Sequence, residues 1–280
     1  MKSRNEWRRG PYTGGNKMLI VSRRRPVAAY DTDAQAYLTA VETADGQSLE
    51  TTTKDAINAF VAGCKADGTW SAIKASCILA GARTLAGALV PLVGTAPTAF
   101  NFSAADYNRK TGLLGNTTNR YINSNRSNSA DPQNNRHAAV FANTPDNGGS
   151  FLLSARGAST DIGSTGIRTR NASASSCVNG LDFQDAAGAE MPINAGTFKG
   201  VSRNSSSSYT SRVNGSNFTI SRVSGTPVSV NYVLFARSDL AAATFFAGRI
   251  SFYSIGEALT LSSLESRVVT LMAALASAIP

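Results

Sequence analysis

Apolar and polar positions change rhythm twice along this chain. In "DTDAQAYLTAVETADGQ" the residues Tyr37, Leu38, Val41 and Ala44 form one stripe at helical spacing, and Gly46 is placed to end it. Thr32 with Gln35 three positions on has the spacing of a capping box. In "SLETTTKDAINAFVAGCKADG" the stripe is Ile57, Phe60, Val61 and Cys64, with a cap expected from Thr51–Thr53 and an end marked by Gly63 and Gly68. Stripes this narrow cannot build a core alone, so both helices must lean on something else.

From about Trp70 the period shortens. "ASCILAG", "GALVPLVG", "RYINSN", "HAAVFAN" and "GSFLLSARG" are short apolar or alternating runs separated by turn residues. In "SYTSRVNGSNFTISRV", Tyr209, Ser211 and Val213 alternate with polar residues, Asn214-Gly215 supplies a positive-φ turn, and Phe218 and Ile220 resume the alternation, which predicts a β-hairpin. "SVNYVLFARS" reads as a central strand. "GRISFYSIG" sets Ile250 and Phe252 on one face and Arg249, Ser251 and Tyr253 on the other. Many short strands at this spacing predict a β-sandwich. The period then returns to helical: Leu261, Leu264, Val268, Leu271, Met272 and Leu275 share a stripe, capped by Thr260 or by Ser262 with Glu265.

Composition agrees with this pattern. The 280 residues are 42% hydrophobic and 16% charged, so a core is affordable while the surface must rely on Ser, Thr, Asn and Gly, as strand faces do. No apolar run is long enough to span a bilayer, and the start lacks the apolar stretch of a signal peptide. Cys64, Cys77 and Cys177 lie far apart without a CxxC, which predicts small buried residues, no disulfide and folding in a reducing cytoplasm. The net charge of +9 is concentrated at the start: eight cations stand against Glu6 before residue 30, leaving +7 there and +2 for the rest. Arg4, Arg8, Arg9, Arg23, Arg24 and Arg25 are therefore read as an arm that docks on a protein partner; nucleic acid is not expected, because no nucleic-acid fold is legible behind it.

Candidate chemistry is sparse. His137, the single histidine, stands in "NNRHAAV" and reads as a surface or strand-edge imidazole, and one histidine excludes a histidine-rich zinc or iron site. Asp182, Asp185 and Glu190 cluster in "LDFQDAAGAEMP", a loop pattern of solvated acids. There is no Walker loop and no nucleotide-binding glycine pattern, so no cofactor is expected.

The stretches "TGLLGNTTNRYINSN", "HAAVFAN", "SFLLSARG", "YTSRVNG", "YVLFARS" and "FFAGRISFYSIGEALTLSSLESRVVTLMAAL" resemble the concanavalin A-like (laminin-G-like) domains of structural and fibre proteins in tailed bacteriophages. Residues 22–70 resemble the two-helix module that precedes such domains, and the two together cover roughly residues 22–280. The resemblance implies a mainly β, jelly-roll sandwich over residues 70–280 with a closing C-terminal helix, a two-helix docking module over 31–69 and an extended arm over 1–30. It brings no catalytic motif, and no laminin-G calcium ligand set is present. The function it implies is that of a non-enzymatic virion protein: a tail fibre or spike that binds host-surface polysaccharide, or alternatively a capsid decoration protein clamping neighbouring subunits. A glycan-degrading enzyme on the same fold is the second alternative. Tyr107, Tyr121, Tyr209 and Tyr253 are the expected sugar-stacking residues. The partners implied are other virion proteins and further copies of the chain, a trimer by analogy, with no membrane.

Overall fold

The computed structural model describes residues 29–143, 150–157, 162–168, 177–180, 197–242 and 244–280, with the backbone alone for 177–180 and 197. The expected arm residues Arg4, Arg8, Arg9, Arg23, Arg24 and Arg25 lie outside the described residues. In chain order the elements are α1 (Thr32–Asp45), α2 (Thr51–Ala66), β1 (Ile73–Ile78), α3 (Leu85–Ala88), β2 (Thr98–Phe100), β3 (Tyr107–Asn108), β4 (Gly112–Leu114), β5 (Tyr121–Ser127), β6 (Arg136–Ala142), β7 (Phe151–Ala155), β8 (Ser164–Arg168), β9 (Cys177–Gly180), β10 (Thr197–Arg203), β11 (Ser208–Val213), β12 (Ser216–Ser221), β13 (Asn231–Leu234), β14 (Arg249–Gly256) and α4 (Leu261–Ala278).

The strands form two antiparallel sheets. One runs β12-β11-β10-β6-β14-β4-β3, with β1 also paired to β14; the other runs β2-β5-β13-β7-β8-β9. Strand alternation decides what each face of the first sheet covers. Ala138, Val140 and Ala142 of β6, with Val201, Tyr253 and Ile255, join Ile122, Leu153, Ile167, Tyr232 and Leu234 of the second sheet in the sandwich core. Ala139, Phe141, Phe198 and Phe252 point the other way, into a cluster with Leu38, Val41, Ile57, Phe60, Leu264, Val268 and Leu271 of the helices. The chain is thus a mainly β sandwich with a C-terminal helix, and a helical layer covers the outer face of its first sheet. The two N-terminal helices share one apolar cluster with α4 and that sheet, which answers their need for a partner surface.

The expected two-faced reading of "GRISFYSIG" is corrected. The register with β6 shifts between Ile250 and Phe252, so Ile250 and Tyr253 both face the sandwich interior while Phe252 meets the helices. A bulge moves side chains to the opposite face, and because both faces are covered the polar residues gain no solvent.

The helix ends also differ from expectation. Asp31, not Thr32, caps α1, its side chain accepting from the Asp33 amide at 2.9 Å; Gly46 does end the helix at φ 67. Neither α2 nor α4 has a side-chain cap bond. Glu265 instead reaches the β11–β12 hairpin. Its carboxylate accepts from Arg212 Nε at 2.5 Å and from the Gly215 amide at 2.9 Å. That hairpin turns, as predicted, on Asn214 (φ 43) and Gly215 (φ 81). Glu265→Ala leaves Arg212 without its anion and costs roughly 2–3 kcal/mol. Urea unfolding reads this, and a loss under about 0.5 kcal/mol would mean that the helix does not anchor the hairpin.

Cys64 and Cys77 are free and buried, and burial pushes their thiols up to about 11 and about 12. The side chain of Cys177 is outside the described residues. No described helix is long and apolar enough to cross a membrane.

Candidate functional site

The second sheet carries the aromatic surface. On its edge, β2 pairs with β5 so that Ala99 stands opposite Ile122 and Phe100 opposite Tyr121. Ile122 is buried in the sandwich core and Ala99 packs against it. Alternation therefore turns Phe100 and Tyr121 outward. Their rings stack with centroids 4.4 Å apart and planes at 11°. Phe100 is 36% exposed, whereas Tyr121 packs on its inner side against Val233, Ala236 and Phe245. One ring is thus open to solvent and the other holds it in place.

Asparagines surround this pair and are tied into the fold. Asn116 Oδ1 accepts from the amides of Thr118, Asn119 and Arg120 at 3.1, 2.9 and 2.9 Å. Asn101 Nδ2 donates to the Asn119 carbonyl at 2.8 Å. Asn123 Oδ1 accepts from the Asn125 amide at 2.8 Å, and Asn125 Nδ2 donates to Ala96 O and Thr98 Oγ1 at 2.8 and 3.0 Å. Asn101 (φ 62) and Asn125 (φ 57) hold left-handed backbone, which a short amide side chain tolerates. The rim is consequently rigid and rich in amide donors and acceptors, and the Arg120 guanidinium, paired with Asp106, reaches the Asn101 carbonyl at 3.3 Å. Such a surface offers a ring face for stacking beside fixed polar groups, the chemistry that suits a sugar.

Of the four tyrosines expected to meet a ligand, the fold leaves Tyr121 at this surface. Tyr253 is fully buried between the sheets and Tyr209 nearly so, the latter beneath the Arg203 guanidinium at 5.2 Å. Tyr107 is half-buried and its hydroxyl donates to the Ala82 carbonyl at 2.7 Å. The structure does not bring the four together. Phe100 was not among the expected residues; its signal was the alternation of "TAF" at a sheet edge, which becomes visible only with its partner strand.

His137 is also corrected. It lies on β6, paired with Gly256 and Ser202 in the middle of the first sheet, and is 1% exposed. Its Nδ1 donates to the Glu257 carbonyl at 2.5 Å, since that oxygen carries no proton, which leaves Nε2 to accept from Ser254 Oγ at 2.8 Å. Burial pushes its pKa down to about 4.

Among the described residues the carboxylates on the sandwich are held by cations: Asp106 by Arg120 at 2.7 Å, Asp131 by Arg126 at 2.5 Å, Asp239 by Arg237 at 2.7 Å and Arg156 at 3.2 Å, and Glu257 by Lys74 at 3.3 Å. Asp182, Asp185 and Glu190 lie outside the described residues. Among the described residues no group of three or more His, Cys, Asp or Glu is placed to hold a metal ion.

No family model matches the chain, and no curated protein does. Solved structures similar to it include domain 4 of AbnA, an extracellular arabinanase of Geobacillus stearothermophilus, seen in complex with arabinotriose, at 13% identity and a TM-score of 0.37 over 62% of this chain and 82% of that one. The NanB sialidase of Streptococcus pneumoniae is similar at 14% identity and 0.38, over 56% of this chain and 27% of its own length. The Trypanosoma rangeli sialidase is similar at 9% identity and 0.44, over 85% and 38%. The chain therefore spans between about a quarter and two fifths of these sialidases. These comparisons correct the functional expectation. The structures named are of glycoside hydrolases and sialidases and none is a virion protein, so neither the non-enzymatic tail-fibre reading nor its capsid-decoration alternative is carried further.

Proposed function

We propose that the chain is a carbohydrate-active protein whose concanavalin A-like sandwich engages a neutral polysaccharide at the edge of its second sheet, on the Phe100–Tyr121 pair and its asparagine rim. The observation that carries this reading is the stacked pair itself: an exposed aromatic ring, pre-oriented by a half-buried neighbour and set among amides. An aromatic surface fixed before binding loses little side-chain entropy when a sugar ring lies on it. The extracellular arabinanase domain seen with arabinotriose is in keeping with such a ligand class.

A glycan array read with wild type, Phe100→Ala, Tyr121→Ala and Tyr121→Phe tests this. Wild type is expected to bind one class of neutral saccharide, Phe100→Ala to lose about tenfold or more in affinity, and Tyr121→Phe to keep it because the stack survives. Assaying the bound saccharide for newly released reducing ends shows whether the chain also cleaves what it binds. Equal binding by wild type and Phe100→Ala would place the site elsewhere.

A further inference from the structure

The turn of the β11–β12 hairpin carries a reactive pair. Asn214 and Gly215 are both exposed, with φ 43 and 81. In an Asn-Gly pair the glycine nitrogen loses its proton to solvent base and attacks the asparagine side-chain carbon. The side-chain nitrogen takes up a proton and leaves as ammonia, and water then opens the five-membered imide to an aspartyl or isoaspartyl residue. No side chain on the glycine blocks the attack. A Cβ built at Gly215 would meet nothing within 4 Å, so the ring has room to form.

Here the nucleophile is occupied. The Gly215 N–H donates to Glu265 Oε1 at 2.9 Å and Oε2 at 3.2 Å. That carboxylate is brought by α4, is 7% exposed and is held by Arg212 Nε at 2.5 Å. Two effects keep the proton on the nitrogen. The hydrogen bond is lost when the nitrogen ionises, and a full negative charge beside it raises the energy of the nitrogen anion. The carboxylate is itself far too weak a base to take an amide proton. Its removal reverses the electrostatics, because the Arg212 guanidinium left behind favours the anion. Leu264 and Val268, fully buried on the helical layer, hold α4 on the first sheet, so the carboxylate covers the turn only while the helix is docked.

We propose that Asn214 is a site of spontaneous deamidation whose rate is governed by Glu265: the docked helix guards the Gly215 nitrogen, and a helix that lifts away exposes the turn to this chemistry. The product carries a new negative charge one residue from the amide that Glu265 holds. Repulsion between the two carboxylates then weakens the return of the helix, so each chain keeps a covalent record of the opening.

The test is peptide mapping by mass spectrometry of the whole chain after incubation at neutral pH, with Asn214 resolved from the other Asn-Gly pairs, Asn147-Gly148 and Asn179-Gly180. Conversion at Asn214 in the folded wild type is expected to be slower by about tenfold or more than in the chain unfolded in guanidinium chloride. Glu265→Ala should recover most of the unfolded rate. Val268→Ala, which loosens the packing of α4 but keeps the carboxylate, should stay slow. If Glu265→Ala does not fold, hydrogen exchange at the wild-type Gly215 amide decides, because it removes the same proton: strong protection supports the guard, and exchange at the rate of a free turn amide refutes it. Equal conversion in folded and unfolded wild type, or in Glu265→Ala and wild type, would overturn the proposal. So would acceleration by Val268→Ala as large as that by Glu265→Ala.

Discussion

Phe252→Ala is expected to destabilise the chain by about 3–5 kcal/mol, the usual cost of emptying a large aromatic site in a packed core. Few positions concentrate so much. Phe252 has no exposed surface, lies opposite Phe141 on one neighbouring strand and Ile78 on the other, and meets Phe60 of α2 edge-on at 5.6 Å. It is where the helical layer, β1, β6 and β14 touch at once. A domain of ordinary stability has only about 5–15 kcal/mol in total, so the variant should unfold at far lower urea with both layers loosening together. Phe100→Ala, which empties a partly exposed edge, should cost under about 1 kcal/mol by comparison. If the two variants were equally mild, the helices would not be held on the sheet through this ring.

Lowering the pH from 6.5 towards 4 is expected to remove about 3 kcal/mol of stability through His137 alone. Its folded pKa of about 4 lies below the ordinary 6.5, so the unfolded chain binds the extra proton throughout that window and stability rises with pH across it. The contribution is fully present above pH 6.5 and is lost as pH falls to the folded value. A proton added at Nε2 would face Ser254 Oγ in a fully buried site. Because His137 is the only histidine, the slope between pH 6.5 and 4.5 is assignable. Carboxylates act at lower pH: Glu50, held down to about 2 by Arg109, loses its contribution only below about 4.5. His137→Gln should be less stable at neutral pH and flat across the upper window in urea titrations. A parallel slope in both proteins would place the acid sensitivity elsewhere.

Much of the fold was legible because its signals are local. Asn214-Gly215 between alternating runs names a hairpin whatever surrounds it, and the stripe from Leu261 to Leu275 describes a helix with one buried face. Misreadings arose where long-range pairing decides. The bulge near Ser251 redirected Phe252 and Tyr253, and a helical layer on the far side of the sheet buried residues that alternation would have left in water. His137 looked like an edge residue because its partners on the strands that enclose it, Ser202 of β10 and Gly256 of β14, come 65 and 119 residues later. The candidate site shows the same limit. Tyr121 was visible as one tyrosine among several; that Phe100 lies flat against it depends on the β2–β5 register, which no local pattern contains.

Nuclear magnetic resonance of the isotopically labelled chain, titrated with the saccharide class that the array selects, reads the location of binding directly. Shift changes centred on Phe100, Tyr121 and the amides of Asn101, Asn119 and Asn123, absent in Phe100→Ala, are the expected result. Changes confined to the helical layer or to the far edge of the first sheet, with this surface silent, would contradict it.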